Sequence, residues 1–321
     1  MIHRCLSFVA LGALALMSTA LAGCGEGDGS ADAGNRFVVV TGGQSGVYYP
    51  TGGAIGRLVR KAGGDLQLDV RTSGGSVANA RQLQRGAADF AILQNDIASY
   101  ARRGVQQFDE PIDNLMGVAS LYPEHVQLIA AADAGIDSPA ALRDKRVAIG
   151  AIGSGTEANA LQVLEAVGLT TDELKSVERL KAAESADYLR DGRVDAAFFT
   201  FGVGAAAIRD LVERGDVVIV PIGGEARRRL IERHPFYREA VIPADAYGQG
   251  EPAADVPTVS VMATLVARSE TPAEVVEAVL EAIFENLDEF KAAHARLREV
   301  NRERAAEMVL PMHPGAEAFY D

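Results

Sequence analysis

Gly153-Ser154-Gly155-Thr156 combines two glycines with two hydroxyls in four residues. A short β-branched run, residues 147–149, precedes it. Apolar residues at near-helical spacing follow it: Ala158, Leu161, Val163, Leu164 and Val167. A strand that feeds a glycine turn and then a helix leaves backbone N–H groups free at the positive helix end. That chemistry suits a carboxylate or a phosphate. The pattern occurs twice more upstream. Residues 42–50 follow an apolar strand and carry Ser45 and Tyr48, and residues 72–76 follow another, with Ser76 as the expected N-cap. One such turn is often only a tight connection. Three at equivalent strand ends argue for a ligand.

Other side chains near these turns add recognition chemistry. Tyr48 and Tyr122 can each supply an apolar wall with a polar tip. Gln94 and Asn95 can accept from an ammonium or donate to an oxygen. One of Phe198 and Phe199 is expected to face the cleft and the other the core. Rival chemistries are weaker. Gly153-x-Gly155-x-x-Ala158 matches the dinucleotide fingerprint in form, but Glu173 falls in a helix-start pattern and not at a strand end. The five histidines show no metal spacing. Ser154 with His125 or His313 makes a nominal nucleophile pair that nothing brings together, and His313 reads as structural.

These loops need strands and helices behind them. Strands are expected at residues 36–41, 66–71, 88–93, 115–121, 126–131, 147–149, 177–180, 194–201, 217–221 and 258–267. Helices are expected at 51–61, 77–84, 97–103, 226–233 and 275–290, the last begun by Thr271 and Pro272. Residues 234–254 read as irregular. Alternating strands and helices predict an α/β fold of open parallel sheets covered on both faces. In such sheets ligands sit outside the carboxyl ends of the strands. The two runs at 115–121 and 126–131, joined by Tyr122-Pro123-Glu124, suggest a crossing between domains.

The 321-residue chain is 48% apolar and carries a formal net charge of −13. Acidity and the lack of basic runs argue against nucleic acid. Trp is absent, which disfavours a sugar-stacking platform. Residues 1–23 read as an export signal, with a weakly basic start and a short apolar core. Leu21-Ala22-Gly23-Cys24 is similar to a bacterial lipobox, which makes Cys24 the expected lipid-bearing N-terminus. Cys5 leaves with the leader, so no disulfide is expected. Residues 24–35 read as a flexible tether.

Taken together, the motifs resemble the TAXI family, the solute receptors of one branch of TRAP transporters. They are Thr41-Gly-Gly-Gln-Ser-Gly-Val-Tyr-Tyr-Pro50, Thr72-Ser-Gly-Gly-Ser-Val-Ala-Asn79, Gly86-Ala-Ala-Asp89, Gln94-Asn-Asp96, Ala119-Ser-Leu-Tyr-Pro-Glu124, Gly153-Ser-Gly-Thr-Glu157, Asp195-Ala-Ala197 and His313-Pro-Gly-Ala316. The resemblance implies a bilobal periplasmic binding protein fold of two α/β domains with two crossover strands. The expected bounds are 36–124 with 243–321 for one domain and 125–242 for the other. It implies capture of a small carboxylate, glutamate or a related dicarboxylate, by hinge closure, and delivery to a TRAP permease subunit in the membrane. Ligand contacts are expected from Ser45, Tyr48, Ser76, Gln94, Asn95, Tyr122, Ser154, Gly155 and Thr156. Gly202-Val203-Gly204 stands where the family carries Gly-x-Pro, which suggests a looser loop. We expect a monomer outside the cytoplasm, with no cofactor, no metal and no enzymatic role. A sensor feeding a membrane signalling protein is the alternative; an enzyme on this fold would need a cleft histidine or cysteine.

Overall fold

The structure is a computed structural model that describes residues 35–248 and 252–321. The leader, Cys24 and almost all of the tether lie outside the described residues.

The first half of the chain lays down β1 (Arg36–Val40), α1 (Tyr48–Ala62), β2 (Gln67–Arg71), α2 (Ser76–Gln84), β3 (Phe90–Gln94) and α3 (Asn95–Arg103). The long strand β4 (Leu115–Ala131) follows. Then come β5 (Arg146–Ala148), α4 (Gly155–Ala166), β6 (Ser176–Glu178), α5 (Ala182–Arg190), β7 (Ala196–Phe201) and α6 (Ala206–Val212). The chain returns through β8 (Val217–Val220), α7 (Gly224–Arg233), β9 (Arg238–Ile242) and the long β10 (Val256–Arg268). It ends with α8 (Ala273–Glu285), α9 (Leu287–Ala292), α10 (Arg302–Ala305) and α11 (Pro314–Tyr320).

Among the described residues ten strands form one hydrogen-bonded sheet, ordered β2-β1-β3-β10-β4-β7-β5-β6, with β8 on β4 and β9 on β10. The expected parallel sheets are therefore two parallel groups joined by antiparallel strands. β1, β2 and β3 are parallel to one another, as are β5, β6 and β7. Between them β4 and β10 run antiparallel to each other and change neighbours midway. β4 pairs with β10 from Leu115 to His125 and with β7 from His125 to Ala130. The two expected strands around Tyr122-Pro123-Glu124 are thus one. Pro123 lacks an N–H, yet the strand passes through it, opposite Met262 of β10. β9 lies in the segment read as irregular; its mostly exposed residues give it little apolar signal.

Each half has helices on both faces, because each sheet group is apolar on both. In the first half α1 and α8 cover one face and α2 and α3 the other. In the second half α4 and α7 cover one face and α5 and α6 the other. α1 starts at Tyr48, before the expected Thr51, and so includes Pro50 in its first turn, where no intrahelical N–H is needed. Gly52 lets this helix lie close on the sheet. A Cβ there would stand 2.6 Å from Thr41 Cγ2 and 3.1 Å from Val70 Cγ1. Gly52→Val should therefore cost on the order of 2 kcal/mol by overpacking, read as a lower urea midpoint. A midpoint within error of the parent would mean that α1 can slide away from the sheet at no cost.

Candidate functional site

The carboxyl ends of β1 and β2 in one half, and of β5, β6 and β7 in the other, open onto a shared cavity of about 740 Å3. Seven of the nine expected ligand residues line it: Ser45, Tyr48, Ser76, Gln94, Ser154, Gly155 and Thr156. The other two do not. Tyr122 is fully buried beneath α1 in the apolar core of the first half. Asn95 spends its side chain on the main chain, its Oδ1 accepting from Asp96 N at 2.9 Å and from Met262 N at 3.0 Å. Both Phe198 and Phe199 reach the cavity lining, although they sit in the cores on opposite faces of β7.

The helix starts differ in what they leave free. At α1 the backbone N–H groups of Val47, Tyr48 and Tyr49 have no acceptor among the described residues. At α4 Ser154 is the N-cap, its Oγ accepting from Glu157 N at 3.1 Å, while Glu157 Oε2 accepts from Gly153 N at 3.0 Å. Gly155 N and Thr156 N stay without acceptors among the described residues. The expected third site at α2 is taken. Gly153 O, from the other half, accepts from Val77 N at 3.1 Å and Ala78 N at 3.2 Å. Ser76 is not the cap of that helix; its Oγ accepts from Gln94 N at 3.2 Å. Sequence reasoning missed a further start, at α5, where Lys181, Ala182 and Ser185 line the cavity. Leu180-Lys181 contains no glycine, so the signal used for the other turns was absent.

Close packing fixes the α4 turn. A Cβ on Gly155 would fall 1.8 Å from Gln94 Oε1. Gly150 has φ +96°, in the left-handed region, and a Cβ there would meet Thr156 at 2.8 Å. Thr156 Oγ1 accepts from Thr200 N at 3.2 Å, which ties α4 to β7 and leaves the hydroxyl proton available. On the opposite flank Phe201 lies against Gly46. The Gly202–Gly204 loop is packed and not loose: Gly202 abuts Arg296, and Gly204 O accepts from Arg209 at 2.8 Å.

Sequence reading also missed Glu124. It lies on β4 two residues beyond Tyr122, on the same strand face, and this step carries it from the core to the cavity. Only 2% of it is exposed, and its Oε2 accepts from the Tyr48 hydroxyl at 2.6 Å. Burial pushes its carboxyl up to about 8 against the pull of that hydrogen bond, with nearby Asp96 adding to the rise.

Behind the cavity a buried polar network links the halves. Asn159 Nδ2 donates to Asp96 Oδ2 at 2.9 Å and to the Tyr237 hydroxyl at 2.8 Å, and its Oδ1 accepts from Gln94 Nε2 at 3.1 Å. The Tyr237 hydroxyl donates to Gln162 Oε1 at 2.6 Å. Gln162 Nε2 reaches the Tyr100 hydroxyl at 3.3 Å, which bonds His234 Nδ1 at 3.1 Å. Asp96 and Tyr100 are four apart on α3, and Asn159 and Gln162 three apart on α4, so each pair sits on one helix face. Burial raises the Asp96 carboxyl to about 6. Neither His125 nor His313 lines the cavity. Burial beside Arg296 lowers His125 to about 4, and His313 caps α11 through Nδ1.

Solved structures share this fold. An ancestral arginine-binding protein bound to arginine is 14% identical, with a TM-score of 0.51, over 82% of this chain and 98% of that one. MatC from Rhodopseudomonas palustris with bound malate is 16% identical, with a TM-score of 0.56, over 82% of this chain and 88% of that one. At such identities the likeness establishes the bilobal periplasmic binding protein fold. The sequence itself matches the model of the NMT1-like family over residues 39–321. That match runs over most of the chain, and the chain therefore belongs to the NMT1-like family.

Proposed function

We propose that this chain is an extracytoplasmic solute receptor of the TAXI type, anchored by lipid at Cys24. In this reading it captures a small carboxylate, glutamate or a related dicarboxylate, and delivers it to the membrane subunit of a TRAP permease. One observation carries the reading: unpaired N–H groups at the starts of α1 and α4, from opposite halves, face one cavity. Aligned peptide dipoles put positive potential at both, and the cavity walls limit its screening. Two proteins of this fold hold malate and arginine, both small carboxylates.

A carboxylate at one helix start that also reaches the other would bridge the halves and favour the closed state. We assign residues 36–124 with 243–321 to one lobe and 125–242 to the other, with β4 and β10 as the hinge strands. Among Ser45, Tyr48, Ser76, Gln94, Ser154, Gly155 and Thr156, the α4 turn is the most direct probe. Thr156→Val keeps the shape and removes the hydroxyl. It should weaken carboxylate binding about tenfold, the worth of one hydrogen bond to a charged group. Isothermal calorimetry beside far-ultraviolet circular dichroism reads both properties. Unchanged affinity with native dichroism would remove Thr156 from the site. A thermal-shift screen of amino acids, dicarboxylates and neutral sugars tests the wider reading, and a response to sugars alone would sink it.

A further inference from the structure

Glu124 is the one carboxyl among the described residues lining the cavity, and Lys181 the one amine. The hydrogen bonds around Glu124 have a direction. Gln94 N–H donates to Ser76 Oγ at 3.2 Å. Ser76 Oγ lies 3.4 Å from the Tyr48 hydroxyl, whose only proton goes to Glu124 Oε2 at 2.6 Å. Every donor in this chain therefore points toward Glu124. Its other oxygen, Oε1, has no hydrogen-bond partner among the described residues. This carboxyl, 2% exposed, is thus satisfied on one oxygen and turns the other to the cavity.

We propose that Glu124 is the specificity-determining residue of the cavity: its Oε1 receives a ligand ammonium, so the ligand carries an α-amino group, as glutamate does and a 2-oxo acid or an amine-free dicarboxylate does not. This rests on the carboxylate-receptor reading above and narrows it. The helix starts at α1 and α4 take the ligand carboxylate, and Glu124 takes the positive group. A 2-oxo acid or an amine-free dicarboxylate would instead place an oxygen against Oε1, keep the carboxyl protonated and release no proton.

The proton balance follows. Without ligand, Glu124 holds its proton up to about pH 8. Seating an ammonium turns the neutral carboxyl into a carboxylate and releases that proton to solvent. The groups facing Glu124 are Tyr48 from α1, Tyr122 from its own strand and Asp96 from α3. Burial holds both phenols far above their usual range, and Asp96 is charged above about pH 6. Affinity for an amino acid should thus rise as pH approaches 8, by up to about tenfold per unit, and level off above it.

The test is calorimetry on the full chain with the common α-amino acids and a matched panel of 2-oxo acids and amine-free dicarboxylates. The expected result is a best ligand among the amino acids, at least tenfold tighter than its 2-oxo counterpart. Titration at pH 7 in two buffers of different ionisation enthalpy should show release of close to one proton. Glu124→Gln should abolish the release and cut the preference at least tenfold. An amine-free dicarboxylate or a 2-oxo acid as the best ligand, or proton uptake on binding, overturns the proposal and leaves the carboxylate-receptor reading standing. Equal weakening of both panels in Glu124→Gln also overturns it. No response to either panel removes the receptor reading itself.

Discussion

Glu124→Gln should make the ligand-free protein more stable at pH 8, by on the order of 4 kcal/mol, and leave it unchanged at pH 4. The folded protein holds this carboxyl at about 8, whereas the unfolded chain ionises it near the ordinary 4.5. Below about pH 4 both states are protonated and the group makes no difference. As pH rises the unfolded chain releases its proton first, so the equilibrium moves toward unfolding. The loss grows until about pH 8 and then stays constant. Gln keeps an acceptor for Tyr48 and cannot ionise, so it removes this slope. With Glu124 only 2% exposed, solvent offers little screening. Urea unfolding at pH 4, 6 and 8 gives the answer. Parent and variant midpoints that run parallel across the three would show that Glu124 is already ionised in the folded protein. Stability of this kind is commonly given up where a site is built for a ligand.

Asn159→Ala should destabilise the protein by about 3 kcal/mol, read from the urea midpoint at pH 7. The amide serves Asp96, Tyr237 and Gln94 at once, all buried. Ala removes every partner bond and leaves three buried polar groups without the partner they had. The largest share falls on Asp96, whose carboxylate loses its side-chain donor from the other half and keeps the Ile97 N–H at 2.8 Å. Lowering pH below 6 protonates Asp96 and should reduce the penalty. A penalty independent of pH would mean that cavity formation and not the charged contact dominates.

Much of this was legible in the residues. Strand, glycine turn and helix start are local patterns, and the turns at residues 42–50 and 153–156 carry free N–H groups as their chemistry predicts. The turn at 72–76 has the same local signs, but its N–H groups are taken by Gly153, a contact 75 residues or so away that no window reveals. Asn95 and Tyr122 differ from expectation for a like reason: Gln94 reaches the cavity beside Asn95, Glu124 reaches it one step further along the same face of β4 as Tyr122, and where a strand leaves the core for the cavity is set by tertiary packing. Glu124 gave no signal because one acid beside Pro123 reads as a turn. Its burial comes from β10 lying opposite, Val261 against Glu124. Lys181 was hidden by the lack of a glycine. Asn159 and Gln162 look like ordinary polar helix positions until α3 is placed beside α4.

The bond between Gly153 O and the start of α2 is made wholly by main chain. Substitution at position 76 changes what projects into the cavity without removing a partner of this contact. Gly153 itself is confined by its φ of +75°, since a Cβ there would come only into ordinary contact with Ala78. Descendants of this chain can thus trade the side chain at position 76 while this main-chain fastening between the halves is inherited intact, which opens a gradual route to new ligands.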